Sequence, residues 1–224
     1  MVLDNSTELV QDAREAAEFL ETVKMPVRIV AHYDCDGIAA AVTAHEGLRR
    51  NGTSFDITFV EELNAENLAE IYDEAAEPVW MFLDIGSGQI EAIEGTLDDE
   101  TVIIADHHEP GEGSVDYHVN PHNVGIDGGE DISGAGVTYL VMRLLDEDNT
   151  DLLKYALVGA TGDIQTGDDG YLGLNEEMMR DAEAEGVIER KKGLKLYGRT
   201  GKSIVESLKY TTSPYLPGIT NSES

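Results

Sequence analysis

The sequence predicts an α/β fold: a doubly wound, mainly parallel sheet with helices on both faces, followed by a helical segment. Three observations carry this reading. The apolar runs 27–31, 79–83 and 101–105 have the length and near-continuous hydrophobicity of strands buried on both faces. Stretches of helical period lie between them, joined by turns of a few residues. Each run also ends in a short cluster of Asp, His or Gly. With 224 residues, 41% of them apolar, the chain is long enough for a packed core and too apolar for a disordered acidic tail.

The elements follow in order. Residues 5–24 predict an amphipathic helix with Leu9, Ala13, Ala16, Ala17, Leu20 and Val23 on one stripe and Asn5, Ser6 or Thr7 as its cap. Pro26 punctuates, and a strand over 27–31 runs into His32-Tyr33-Asp34-Cys35-Asp36-Gly37 before a helix over 38–50. Asn51-Gly52-Thr53 is a turn, 55–60 alternates as a strand, and 64–75 reads as a capped helix. The strand 79–83 ends at Asp84, with Gly86 and Gly88 behind it, and 101–105 ends at Asp106-His107-His108. Residues 117–120 supply a last strand, after which helices are expected near 133–148, 150–162, 174–187 and 200–210. The tail from 212, with Pro214, Pro217 and Gly218, has linker chemistry. The expected organisation is an α/β domain over 1–165, a helical extension of it over 166–211, and a linker-like tail over 212–224.

Charge narrows the function classes. Asp and Glu number 45 against 15 Lys and Arg, a formal charge of −30, spread through every segment rather than gathered in blocks. Such a coat argues against nonspecific phosphate binding at low salt. It resembles the surfaces of salt-loving organisms, where a Debye length of about 3 Å at molar salt screens self-repulsion. Seven of the fifteen basic residues fall between Arg190 and Lys209, including Arg199 and Lys202, a candidate stripe for phosphates against the plainer reading of a solvated helix face. A single cysteine excludes a disulfide framework and a Cys-based zinc site; Cys35 is expected as a small filler. The absence of a membrane-length apolar run or a signal peptide leads to the expectation of a soluble, cytoplasmic protein with no membrane partner.

The chemistry collects at the ends of the apolar segments: His32, Asp34 and Asp36; Asp84; Asp106, His107 and His108; and Asp163. In an open parallel sheet the carboxyl ends of the strands share one edge, where ligands bind, so these groups are expected to converge. Mixed carboxylate and imidazole donors without a thiolate suit two divalent cations, Mn²⁺ first and Mg²⁺ second. Two ions about 3.5–4 Å apart clamp the attacking and leaving oxygens of a phosphoryl centre. Asp-x-Asp-Gly alone is often only a turn; the order and placement of all four clusters carry the argument.

Asp34-Cys35-Asp36-Gly37, Asp84, Asp106-His107-His108 and Gly159-Ala160-Thr161-Gly162-Asp163 resemble, in that order, the four motifs of the DHH phosphoesterase superfamily. The stretch Asn120-Pro121-His122, the run 132–137 and the end 214–219 are similar to its RecJ-like exonuclease branch, especially the archaeal members. The resemblance implies one ion on Asp34 and Asp84 with His32 joining, and a second on Asp36, His107 and Asp163 with Asp84 bridging. It implies His108 at the substrate phosphate or leaving oxygen, and Asp106 orienting an imidazole. Asn120, His122, Ser133, Gly134, Arg199 and Lys202 are the expected substrate contacts. His32 departs from the pattern, standing two rather than four residues before the first Asp. No histidine follows His122, so the glycine-rich, His-containing motif of the usual second domain is absent. Either the chain is a truncated catalytic domain, which the linker-like end favours, or it borrows that half from a partner. The implied activity is hydrolysis of single-stranded DNA or RNA, with replication or repair proteins as further partners. A phosphoesterase for pyrophosphate, short oligonucleotides or cyclic dinucleotides, and a replication-complex scaffold, are the rivals.

Overall fold

The computed structural model describes residues 8–167, 170–191 and 196–221. They fall into two compact units, Met1–Ile188 and Glu189–Ser224. In the first, α1 (Glu8–Thr22), β1 (Val27–His32), α2 (Cys35–Asn51), β2 (Phe55–Val60), α3 (Ala65–Glu74), β3 (Val79–Leu83), α4 (Ile90–Thr96), β4 (Thr101–Ala105) and β5 (Tyr117–Val119) build the sheet and its covers. They are followed by α5 (Gly134–Leu145), α6 (Leu153–Gly162), the hairpin β6 (Thr166–Gly167) and β7 (Gly170–Tyr171), and α7 (Gly173–Ala184).

The sheet is parallel throughout, in the order β2-β1-β3-β4-β5. From β1 the chain winds out to β2, then crosses back to β3 on the other side. The switch point therefore lies between β1 and β3, where an α/β sheet opens its ligand crevice. Ala31, Leu83, Ala105 and Val119 sit at one register level across four strands. The residues that follow them, His32, Asp84, Asp106 and Asn120, consequently form a row along the carboxyl edge.

Alternation along the strands sorts side chains into two cores. Ile29, Met81, Leu83 and Ile103 pack with α1, α2, α5 and α6, while Val30, Trp80, Phe82 and Ile104 pack under α3 and α4. Trp80 is wholly buried and its Nε1 donates to Glu77 O, so it belongs to the core as its strand position implies. Arg28 forks onto the Glu77 carboxylate at the opposite end of β1 from the site.

Several boundaries depart from the sequence expectation. Helix α2 begins at Cys35 rather than Ile38, because Asp34 caps it by accepting from Gly37 N; the Asp-x-Asp-Gly motif is thus a helix start. Helix α4 and the β6–β7 hairpin were not expected, being too short to show a period. Helix α5 stops at Leu145, where Asp146 caps a 3₁₀ turn over Glu147–Leu152. Asn64 closes a capping box on α3, and Gly52 ends α2 at φ 77°, the left-handed position glycine adopts freely. Cys35, expected as a filler, is exposed: it stands on the first turn of α2 beside an apolar cleft. The caps expected at Asn5, Ser6 or Thr7 lie outside the described residues.

In the second unit α8 (Ile204–Tyr210) is capped by Ser203 through a reciprocal box with Glu206. The Lys202 ammonium lies over the Tyr197 and Tyr210 rings, 5.3 and 4.9 Å from their centroids. Lys192 and Lys195 of the basic stripe lie outside the described residues.

Candidate metal centre

The residues after β1, β3 and β4 and the end of α6 do converge. His107 Nε2 stands 3.2 Å from Asp84 Oδ1, 3.1 Å from Asp163 Oδ2 and 3.8 Å from Asp36 Oδ2. On the other side of Asp84, His32 Nδ1 lies 3.6 Å from Asp84 Oδ2 and 3.2 Å from Asp34 Oδ2. Two ligand groups flank Asp84, Asp36/Asp84/His107/Asp163 and His32/Asp34/Asp84, with Asp84 in both, and Asp84, His107 and His108 form a third cluster within ligand reach of one another.

Each side chain is aimed by its local structure. Asp84, only 1% exposed, adopts a left-handed backbone with φ 57° while its N–H still donates to Ala105 O. A non-glycine residue held there is strained, and such strain concentrates at functional sites. Gly134 lets the start of α5 reach it: a Cβ on Gly134 would lie 2.5 Å from Asp84 Oδ1. Asp36 is fully buried and accepts from Gly134 N at 2.6 Å and Ala135 N at 3.0 Å, with Gly159 pressed against its other side. His107 places Nδ1 2.6 Å from Gly128 O, which fixes that nitrogen as the donor and turns Nε2 to the carboxylates.

The electrostatics demand positive charge. Burial lifts the Asp36 carboxyl well above its usual range, and Asp84 and Asp163 add to the lift. Burial would lower His107, but Asp163 and Asp84 overcome it and raise the imidazole to about 11. Asp84, ahead of Asp34, raises His32 to about 9. His32 Nδ1, Asp84 Oδ1 and His107 Nε2 are nonetheless buried without an aligned hydrogen-bond partner. Buried polar atoms are ordinarily paired. Left on the two flanks of Asp84, with oxygen and imidazole donors around them, these atoms fit divalent cations.

Asp106 and His108 form a second layer. Asp106 is wholly buried; despite that burial, His108, the Ser87 N–H and the charge of the His107 imidazole hold it down to about 2. Its Oδ1 meets His108 Nδ1 at 2.8 Å, which raises the His108 pKa, and the His108 side chain is 55% exposed. A cleft of about 630 Å³ opens here, lined by His32, Asp84, Asp106 and His108 together with Glu61, Glu62 and Glu109. Among the described residues, no lysine or arginine lines it.

The residues expected at the substrate are placed variously. Asn120 is buried and donates to Ser87 Oγ and His108 O. Ser133 caps α5 through Gly136 N, and the Gly134 N–H is given to Asp36. His122 is half-buried, with Nδ1 3.5 Å from Glu109. Arg199 and Lys202 belong to the second unit. Sequence reasoning missed Ser87 and the buried Gln165, which donates to Gly128 O beneath His107. No motif marks either.

The sequence profile described as DHH family, N-terminal domain, matches residues 26–162. An uncharacterized protein of Methanocaldococcus jannaschii is 32% identical over 200 residues, covering 86% of this chain and 45% of that protein. RecJ of Thermus thermophilus in complex with Mn²⁺ superposes with a TM-score of 0.63 at 24% identity, over 78% of this chain and 27% of that one. An exonuclease RecJ bound to manganese gives 0.63 at 23% identity, over 77% and 47%. The chain thus spans less than half the length of each of these proteins. The profile match over most of the α/β unit, on the strands and helices that carry the two ligand groups, shows that this chain belongs to the DHH family.

Proposed function

We propose that the chain is the metal-binding half of a two-ion phosphodiesterase that removes nucleotides from an end of single-stranded DNA or RNA. The observation that carries this reading is the sharing of one buried carboxylate, Asp84, between two ligand groups. His32, Asp34 and Asp84 would hold one cation, and Asp36, Asp84, His107 and Asp163 the other. Mn²⁺ suits the mixed donors, and the manganese-bound RecJ structures of the same fold support it. When bound, the two cations lower the pKa of water and neutralise charge developing at phosphorus.

The chain's own groups supply the rest. Asp106 engages His108 Nδ1 and raises the imidazole pKa, which favours a proton on Nε2 for the leaving oxygen. The cleft carries Glu61, Glu62 and Glu109 and, among the described residues, no lysine or arginine, so a phosphate enters it only against repulsion that the ions must offset. Arg199 and Lys202 are proposed as contacts to the rest of the strand. The acidic surface suits molar salt, and the cytoplasm of a salt-loving archaeon fits it.

End-labelled single-stranded DNA and RNA incubated with the full chain, Mn²⁺ and molar KCl test the reading beside Asp84→Ala. Stepwise shortening that the variant abolishes is expected. Activity in Asp84→Ala within tenfold of the parent overturns it. Faster hydrolysis of dinucleotides than of long strands would turn the reading to a small-substrate phosphoesterase.

A further inference from the structure

Beneath the ion ligands lies a buried amide network that the reaction does not use directly. Gln165, 4% exposed, follows Asp163 across Ile164, whose left-handed backbone (φ 59°) turns the chain between them. Gln165 Nε2 donates to Gly128 O at 2.8 Å and lies 3.4 Å from Ile132 O, so it spans both ends of the loop that leads into α5. Gly128 O is the acceptor that orients His107 Nδ1. The same loop continues into Gly134 and Ala135, whose N–H groups hold Asp36. Gln165 Oε1 is fixed in turn by Asn175 Nδ2 at 2.8 Å, and Asn175 N is anchored on Asp131 O of that loop. A single side chain therefore ties together the supports of Asp36 and His107 and stands two residues from Asp163.

We infer that Gln165 is a positioning residue for the ion site of Asp36, Asp84, His107 and Asp163, with Asn175 locking its amide. The inference rests on the two-ion reading above. A leucine at 165 would fill a similar volume but take away the amide that shares Gly128 O with His107, so the loop and ring lose a common tether. Partners of this kind change metal affinity by about 10–100-fold when removed. His32 and Asp34 stand apart from the network, and their ion is expected to keep its affinity.

Mn²⁺ titration of the full chain, followed by the electron paramagnetic resonance of free ion, separates the outcomes. The parent is expected to bind two ions, and His107→Ala identifies the class of site it loses. Gln165→Leu should weaken that class alone by about 10–100-fold, and excess Mn²⁺ should restore hydrolysis because every ligand is intact. Asn149→Ser is the control for stability, since Asn149 is an equally buried amide whose side chain serves Met142 O at the far end of α5. It should melt earlier with an unchanged isotherm. An isotherm for Gln165→Leu that superposes on the parent overturns the inference, as does an equal shift in Asn149→Ser. If Gln165→Leu fails to fold, Asn175→Ser carries the same comparison with a smaller shift in the same site, and no shift overturns it. A parent that binds no Mn²⁺ overturns the ion reading itself, and this inference with it.

Discussion

Asp84 shows how much one residue can be asked to do. Its strained φ, its burial and its place in both ligand groups make it the point where ion binding and backbone geometry meet. Asparagine tolerates the left-handed region better than other non-glycine side chains, so Asp84→Asn removes the charge while sparing the backbone. Two independent ions at 100 times their Kd would each stabilise the parent by about 2.7 kcal/mol, and a kcal/mol moves the melting point of a domain this size by about 2–4 °C. Thermal melts with and without Mn²⁺ should therefore show a gain of about 10–20 °C in the parent, about half of it in His32→Ala, and almost none in Asp84→Asn; an undiminished gain in Asp84→Asn refutes the shared-ligand assignment. Proton competition gives a second test. His107 and His32 titrate near 11 and 9, and an ion must displace those protons, so Mn²⁺ affinity should rise with pH from 6 to 8. Isotherms independent of pH would remove both imidazoles from the ligand set. At this scale the sequence was legible in the order of its Asp and His clusters: Asp34, Asp36, His107 and Asp163 come together around Asp84. His32, two residues before Asp34 instead of four, still reaches Asp84 because β1 ends at that level. Gln165 was not legible, since a glutamine in a turn has no pattern to betray the carbonyl it holds.

Among elements, α2 decides whether the ligands keep their spacing. Its buried face is Asp36, Gly37, Ala39, Ala40, Ala41, Thr43, Ala44, Gly47 and Leu48, almost all small, which lets α5 and α6 approach it closely. Asp36 at its first turn and the N–H groups of α5 thus meet at the site, while Gly47 meets Met142 farther along, where a Cβ would sit 2.5 Å from the sulfur. Gly47→Leu should push α2 from α5, costing about 1–3 kcal/mol by overpacking. Met142→Ala in the same chain should recover part of that loss; a double-mutant cycle in urea measures it, and strict additivity would show that the two helices do not touch there. Three strands were readable because near-continuous apolar runs of five residues have few other uses, and β2 because it alternates. The start of α2 was not, since its first turn is written in cap and ligand residues instead of an apolar stripe, and α4, at seven residues, completes only two turns.

The whole molecule carries −30 charges on 224 residues, yet its proposed substrate is also a polyanion. A basic nucleic-acid-binding protein releases counterions on association, so its affinity falls as salt rises. Here the dominant long-range force has the opposite sign: an acidic surface and a cleft rimmed by Glu61, Glu62 and Glu109 repel the strand until salt screens them. Between 0.1 and 1 M KCl the Debye length shrinks from about 10 to about 3 Å, which is shorter than the approach path but comparable to the distances inside the ion site. Screening should therefore relieve the approach while leaving contacts at the metal largely intact. The expected result is a kcat/KM on single-stranded nucleic acid that rises severalfold over this range at saturating Mn²⁺, with the gain in KM more than in kcat. The melting temperature should rise along the same series, because repulsion within the fold is screened by the same ions. Replacing Glu61 and Glu62 together by Gln should flatten the activity rise without flattening the rise in melting temperature, since two of 45 acidic residues matter at the cleft and little to the total charge. Activity that falls monotonically with KCl in the parent would mean that attraction to a cationic surface governs binding, and would shift the weight of recognition from the ions to the Arg199 and Lys202 unit.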